Sequence, residues 1–168
     1  MQQHKVMAFR RVVALLGVGG VGKTTFAYRL LGLSDVPVIT LRPSYYRLYI
    51  GNYEYDILDV PGQLVYEVAL KFASFKVSIV NRLIYMYDVT NYESLHAIAE
   101  LHSIFIERKS SISEEVVIVG NKRDLAEEVG FYIEADEIAS SIGADEVYYI
   151  SAVKDPPEVL MKILRGVN

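Results

Sequence analysis

No cysteine occurs among the 168 residues, which removes disulfides, thiolate metal sites and cysteine nucleophiles together. That absence suits a reducing compartment. No apolar run approaches the length of a membrane span. The amino terminus, Met1-Gln2-Gln3-His4-Lys5, is too short for a signal peptide, so a cytoplasmic protein is expected, with recruitment to membranes through partners open to it. Position 2 is Gln and the chain ends Arg165-Gly166-Val167-Asn168, so no lipid anchor is expected. A basic excess is missing as well: the formal net charge of −4 argues against a broad nucleic-acid-binding face. The three histidines, His4, His96 and His102, share no metal-site spacing with carboxylates and read as packed or solvated. Internal repeats and low-complexity segments are also lacking.

What is present is a well-distributed apolar half, 52% of residues, enough for one compact domain over residues 1–168. Val6 to Leu16 reads as a buried strand, broken only by Arg10 and Arg11. A glycine-rich turn, Gly17–Gly22, leads into a helix opened by Lys23-Thr24-Thr25 and ending near Gly32. Ser34–Pro43 is a loop. Ser44–Ile50 and Tyr53–Asp59 flank Gly51-Asn52, a two-residue hairpin signal. Leu64–Lys76 reads as a helix and Arg82–Tyr87 as a buried strand. Thr90 with Glu93 forms a capping box for a helix to about Glu107, and Asp88 is a turn residue before it. Val116–Gly120 is a strand, Glu134–Ser141 a helix, Glu146–Ile150 a strand, and Pro156–Arg165 a closing helix. The charged pair Glu127-Glu128 reads as a solvated face. This alternation predicts an α/β fold: six strands, mostly parallel, one antiparallel at the edge, with helices on both faces. Ligands of such sheets bind at the carboxyl ends of the strands.

Gly17-Val18-Gly19-Gly20-Val21-Gly22-Lys23-Thr24 fits G-x-x-x-x-G-K-[ST] in the strand-to-helix context which that motif requires. Backbone N–H groups from Gly17 through Gly22, with Gly19, Gly20 and Val21 at the tip, can curl around phosphate oxygens. The positive end of the following helix points at the same charge. Lys23 is placed for the β- and γ-phosphates, Thr24 for magnesium, and Thr25 beside them for the nucleotide. The loop alone does not choose the base.

Asn121-Lys122-Arg123-Asp124 follows the Val116–Gly120 strand. A carboxylate accepts two parallel hydrogen bonds well, and guanine offers two adjacent donors where adenine presents an acceptor. Asp124 would pair with guanine and stand unpaired against adenine, a large discrimination. Lys122 can lay its alkyl stem over the base, and Asn121 can brace neighbouring loops. One strand–helix unit later, Ile150-Ser151-Ala152 is small enough for a backbone N–H at Ser151 or Ala152 to reach the guanine carbonyl oxygen.

These segments, with Asp59-Val60-Pro61-Gly62-Gln63 and Tyr87-Asp88-Val89-Thr90-Asn91-Tyr92-Glu93-Ser94-Leu95, resemble the Ras superfamily of small GTPases over about residues 8 to 165. The resemblance mixes Rab-like, Rag- and Arf-like and MglA-like traits, the last pointing toward bacterial or archaeal members. It implies GTP and GDP as ligands and magnesium as cofactor. It gives Asp59 a magnesium contact through water, Gly62 a γ-phosphate contact, and Gln63 the attacking water. Catalysis is thereby assigned to Gln63, Lys23 and Gly62. Pro61, without an N–H, departs from the usual alanine or glycine and stiffens the start of the second switch. In the first switch Thr40 and Ser44 are candidates for the magnesium-ligating threonine or serine, and the spacing from the hairpin turn favours Thr40. Where the family usually continues with lysine after Ser151-Ala152, this chain has Val153 before Lys154. No aromatic near Asp35 covers the base edge.

Gly19 leaves room beside Gln63, while Val38 stands where a built-in arginine would be and Arg42 lies beyond Thr40. The expectation is slow intrinsic hydrolysis accelerated by a partner's arginine, with activators, exchange factors and effectors meeting the switches. A GTP-holding scaffold or dimerising subunit with little turnover is the alternative; an ATPase or kinase conflicts with Asp124. Tyr45, Tyr46, Tyr49, Tyr53 and Tyr55 crowd the hairpin, and Leu64 to Phe75 is nearly apolar all round. About half of these residues are expected in the core; the surplus predicts a partner or a second copy.

Overall fold

The computed structural model describes residues 7–35, 42–74, 80–108 and 113–166. β1 (Phe9–Leu16) starts exposed and ends with Val13 to Leu16 fully buried. It feeds α1 (Lys23–Leu31), which stops at Gly32. The hairpin forms as the Gly51-Asn52 signal predicts. β2 (Ser44–Ile50) and β3 (Tyr53–Asp59) pair antiparallel, with Ile50 opposite Tyr53 and Ser44 opposite Asp59. Alternation then decides which tyrosines enter the core. Tyr55 is buried and Tyr46 packs under α1, while Tyr45 and Tyr49 face outward.

After β3 the chain makes a short 3-10 turn, Gly62–Leu64, before α2 (Val65–Ala73). The helix expected over Leu64–Lys76 thus starts as a tighter turn, and residues 75 and 76 lie outside the described part. Val65, Ala69 and Ala73 form its buried stripe, whereas Tyr66 and Leu70 are exposed. The remaining elements are β4 (Val80–Asp88), α3 (Tyr92–Glu107), β5 (Ser113–Asn121), α4 (Arg123–Val129), α5 (Asp136–Ile142), β6 (Glu146–Tyr149) and α6 (Pro157–Arg165).

The capping box read at Thr90 is not the one used. Asn91 caps α3, its side chain accepting the Ser94 N–H at 3.2 Å. Thr90 instead gives its N–H and hydroxyl to Asp88 Oδ1, at 2.8 and 2.6 Å. An ionised carboxylate two residues upstream outcompetes the helix end for those donors. α4 was not anticipated: seven residues, mostly charged, show too little periodicity to betray a helix.

The sheet runs β2-β3-β1-β4-β5-β6, parallel except for β2. Both faces are covered, as the α/β reading requires. Phe26 and Leu30 of α1 and Leu160, Ile163 and Leu164 of α6 pack on Val13, Leu15, Ile84 and Val117. Ala69 of α2, Leu95, Ile98, Leu101 and Phe105 of α3, and Ala139 of α5 pack on Ala14, Leu16, Leu83, Tyr85 and Ile118. Each buried valine, leucine or isoleucine among them contributes roughly 2 kcal/mol of burial. Two layers of that kind hold the carboxyl ends of β1, β3, β4 and β5 together along one edge. No helix among the described residues is long and apolar enough to cross a membrane.

Candidate functional site

Residues 17–22 join β1 to α1 at that edge. Lys23 is 6% exposed, and its ammonium donates to the carbonyls of Gly17 at 2.7 Å and Val18 at 2.9 Å, closing the loop around itself. Burial pulls its pKa down to about 8, with attraction from Asp59 offsetting part of the loss. Gly22 has φ 102°, and a Cβ there would stand 2.2 Å from Asn121 Nδ2. Only glycine fits where the phosphate loop touches the base loop.

Asp59, fully buried at the end of β3, accepts the Thr24 hydroxyl on Oδ2 at 2.6 Å. Its other oxygen, Oδ1, is buried without a hydrogen-bond partner among the described residues. Burial raises its pKa, opposed by the Thr24 hydrogen bond and by Lys23. A hydroxyl and a carboxylate oxygen lacking a partner, converging beside a lysine, fit a hard divalent cation with phosphate oxygens. Thr24 and Asp59 are therefore the groups that would hold magnesium. Thr40, the remaining expected ligand, lies outside the described residues.

Gly62 is pressed against the phosphate loop: a Cβ there would lie 2.0 Å from the Gly19 nitrogen. The second switch thus rests directly on the loop's backbone. Pro61 is buried before it, and Gln63 stands exposed after it.

The base-reading segment is held from three sides. Asn121, 3% exposed, donates through Nδ2 to the Val21 carbonyl at 2.9 Å and accepts the Ala152 N–H on Oδ1 at 2.9 Å. It does brace neighbouring loops. Lys122 adopts a left-handed backbone, φ 68°, and its ammonium reaches Asp88 Oδ2 at 2.9 Å. Asp88 is more than the turn residue read from sequence, because it fixes the lysine expected to lie over the base. The lysine and the Thr90 donors together outweigh burial and hold the Asp88 carboxyl below the usual range. Asp124 Oδ1 is buried without a partner among the described residues, so this carboxylate has acceptor capacity left for a ligand's N–H donor. Ser151 and Ala152 are buried beside Asn121, and the Ala152 N–H is already engaged by it.

The predicted site residues 17–25, Asp59, Gly62, Gln63, Asn121, Lys122, Asp124, Ser151 and Ala152 therefore lie along the one sheet edge. Sequence reasoning missed Asp88, Arg29, Arg123 and Asp155, which act through loops distant in sequence: Arg29 donates to the Asp155 carbonyl at 2.7 Å and Arg123 to Asp155 Oδ1 at 2.6 Å. His102 is half-buried and meets the Tyr85 hydroxyl at 3.0 Å, a packed histidine; His4 lies outside the described residues.

Residues 12–122 match the model of the family described as 50S ribosome-binding GTPase, about two thirds of the chain. The chain belongs to this GTPase family. Its relatives place it among the small GTPases of the Ras superfamily. It is 27% identical over 140 residues to the GTP-binding protein Rheb of Bos taurus and to that of Homo sapiens, a match that spans 80% of this chain and 74% of each relative. The matched family span takes in the phosphate loop, Asp59 and the Asn121-Lys122 pair of this GTPase.

Proposed function

We propose that this GTPase binds guanine nucleotide with magnesium, hydrolyses GTP to GDP slowly, and signals the difference to partner proteins through its switch segments. The buried Asp124 oxygen without a partner carries the guanine choice, since guanine's N1–H and amino group supply the missing donors and adenine does not. Lys23 and the loop N–H groups bind the phosphates, and Thr24, Thr40 and Asp59 hold the metal. Magnesium supplies charge neutralisation at the phosphates. Gln63, exposed beside Gly62, positions the water, and a partner's arginine supplies the charge this chain lacks at Val38.

The close packing of Gly62 on Gly19 supports the switching step. A phosphate gained or lost at the loop acts directly on that contact, and α2 follows. Tyr66 and Leu70 on α2 and Tyr45 and Tyr49 on β2 are the exposed apolar groups for partners or a second copy; light scattering of the GDP- and GTP-loaded forms would show self-association. The family's description speaks of ribosome binding. With a net charge of −4 this chain has no basic excess for an RNA surface, and the ribosome forms no part of the reading.

The test is to identify the nucleotide retained on purification and follow its hydrolysis with magnesium over hours. Guanine nucleotide is expected, with slow conversion to GDP, and Gln63→Leu is expected to slow turnover roughly tenfold or more. Adenine nucleotide alone would refute the base assignment. GTP held unhydrolysed by the parent protein would make it a GTP-holding subunit instead.

A further inference from the structure

The strand register builds a second polar cluster, at the end of the sheet away from the nucleotide site. Arg11 of β1 stands opposite Tyr55 of β3, and Arg82 of β4 stands opposite both Val13 of β1 and Glu115 of β5. Val117, two residues beyond Glu115, stands opposite Glu146 of β6. Residues that pair directly, or that lie two apart on one strand, share a face of the sheet. Arg11, Tyr55, Arg82, Glu115 and Glu146 therefore project from one face, the face on which α6 packs. α6 ends at Arg165, where the Gly166 N–H closes on the Lys162 carbonyl. Between the helix end and the strands lies a cavity of about 120 Å³, lined by Arg11, Tyr55, Glu115, Glu146, Arg165 and Gly166.

The acceptors of this cluster are already engaged. Arg82, fully buried, spends its guanidinium on both glutamates and on the Ile163 carbonyl, and the Tyr148 hydroxyl also donates to Glu146. With the Lys162 and Ile163 carbonyls bonded, the negative end of α6 is blunted as well. Donors are left over. Arg11 reaches Glu115 only at 3.4 Å, and Arg165 has no ion pair among the described residues. Tyr55 is 3% exposed, yet its hydroxyl makes no hydrogen bond among the described residues. Burial raises its pKa against the pull of Arg11, Arg165 and Arg82, so at neutral pH the phenol is a protonated donor within electrostatic reach of all three guanidiniums. Three guanidiniums around two carboxylates leave one positive charge in excess.

We propose that this cavity binds a small carboxylate, held by Arg11 and Arg165 with the Tyr55 hydroxyl as a third donor. One negative charge matches the excess, and a planar guanidinium fork suits two coplanar oxygens. A dianion such as phosphate would overshoot that excess beside Glu115 and Glu146. The volume admits only a few heavy atoms, since one water takes up about 30 Å³ of its liquid. The ligand is therefore either a free short-chain acid or the tip of an acidic side chain presented by another protein. Neither source depends on which nucleotide the opposite edge of the sheet holds.

The test titrates the full-length protein, as purified, with sodium acetate at constant ionic strength. The Gly166 amide and the arginine Nε–H resonances are followed by NMR. Saturable shifts with a dissociation constant of roughly a millimolar are expected for so small a ligand. Acetamide, which has the shape without the charge, should leave these signals in place. Tyr55→Phe keeps the buried ring and should weaken acetate roughly tenfold, the loss of one hydrogen bond to a charged acceptor. Arg165→Gln, at the exposed end of α6, should weaken it at least as much, and unchanged spectra elsewhere would show both variants folded. Propionate against the peptide acetyl-Gly-Glu-Gly-amide separates the two sources. Peptide binding at least as tight as propionate assigns the carboxylate to a partner's side chain, and weaker binding assigns it to a free acid. Acetate shifts that never saturate, equal shifts with acetamide, or full affinity in both variants would overturn the proposal. Phosphate bound more tightly than acetate would overturn it too.

Discussion

Lys23 is buried and held by two carbonyls of its loop, and desolvation brings its pKa down to about 8. Phosphate oxygens beside the ammonium favour its charged form, so the bound state has the higher pKa. Binding therefore takes up a proton when the pH exceeds the free-state value. Affinity is therefore fully present below about pH 8 and weakens as pH rises through it, by up to about tenfold per unit. GDP titrations between about pH 7 and 9 should show this fall, with proton uptake visible as a dependence of the binding heat on buffer ionisation. Lys23→Arg, charged throughout, should bind with a flat profile over the same range. A flat profile for the parent protein would mean that the lysine is already protonated throughout that range before the phosphates arrive. The lysine was legible from the motif, but its depressed pKa was not, because desolvation depends on how the loop closes over it.

The elements differ in how openly the sequence shows them. The hairpin was read to the residue, since alternation and a Gly51-Asn52 turn leave one register, Ile50 opposite Tyr53. The phosphate loop and the Asn121–Asp124 segment were legible for the same kind of reason, being local in sequence. Arg82 shows the opposite case. It sits at the start of a strand that reads as apolar, yet its side chain is fully buried. It donates to the Ile163 carbonyl at 2.7 Å, to Glu115 at 2.8 Å and to Glu146, locking β4 to β5, β6 and α6 at the edge away from the nucleotide site. Nothing local reveals two glutamates brought in from positions 33 and 64 residues away. Removing one member of such a cluster strands the others: Arg82→Leu should cost about 3 kcal/mol or more, read as a shift in the urea midpoint with nucleotide present. Neutralising the partners as well, with Glu115→Gln and Glu146→Gln, should recover part of that loss. If Arg82→Leu left the midpoint unmoved, the cluster would be an ornament of the fold. The same long-range character hid the Arg29–Asp155–Arg123 ties and the Asp88–Lys122 pair.

At the scale of the molecule, the site is assembled from the ends of β1, β3, β4 and β5 and the loop after β6, and two of its carboxylate oxygens are left for a ligand to satisfy. Asp59 Oδ1 and Asp124 Oδ1 are each buried without a partner among the described residues, and burial already pushes the Asp59 pKa upward. A buried polar group left without a partner costs about 1–3 kcal/mol, so the ligand-free protein carries stored instability at two separate points. Nucleotide and metal should therefore act as a large part of the fold's stability. Guanine nucleotide at roughly a thousand times its dissociation constant adds about 4 kcal/mol, which for a chain of this size raises the thermal midpoint by about 8–16 °C. The two orphaned oxygens should separate in a melting experiment. Asp59→Asn should abolish the part of the shift that depends on magnesium and keep the part that depends on the base. Asp124→Asn should do the reverse, lowering the preference for GDP over ADP while leaving the magnesium response in place. A parent protein whose midpoint rises equally with ADP and GDP would show that Asp124 does not read the base, and the guanine assignment would fall with it.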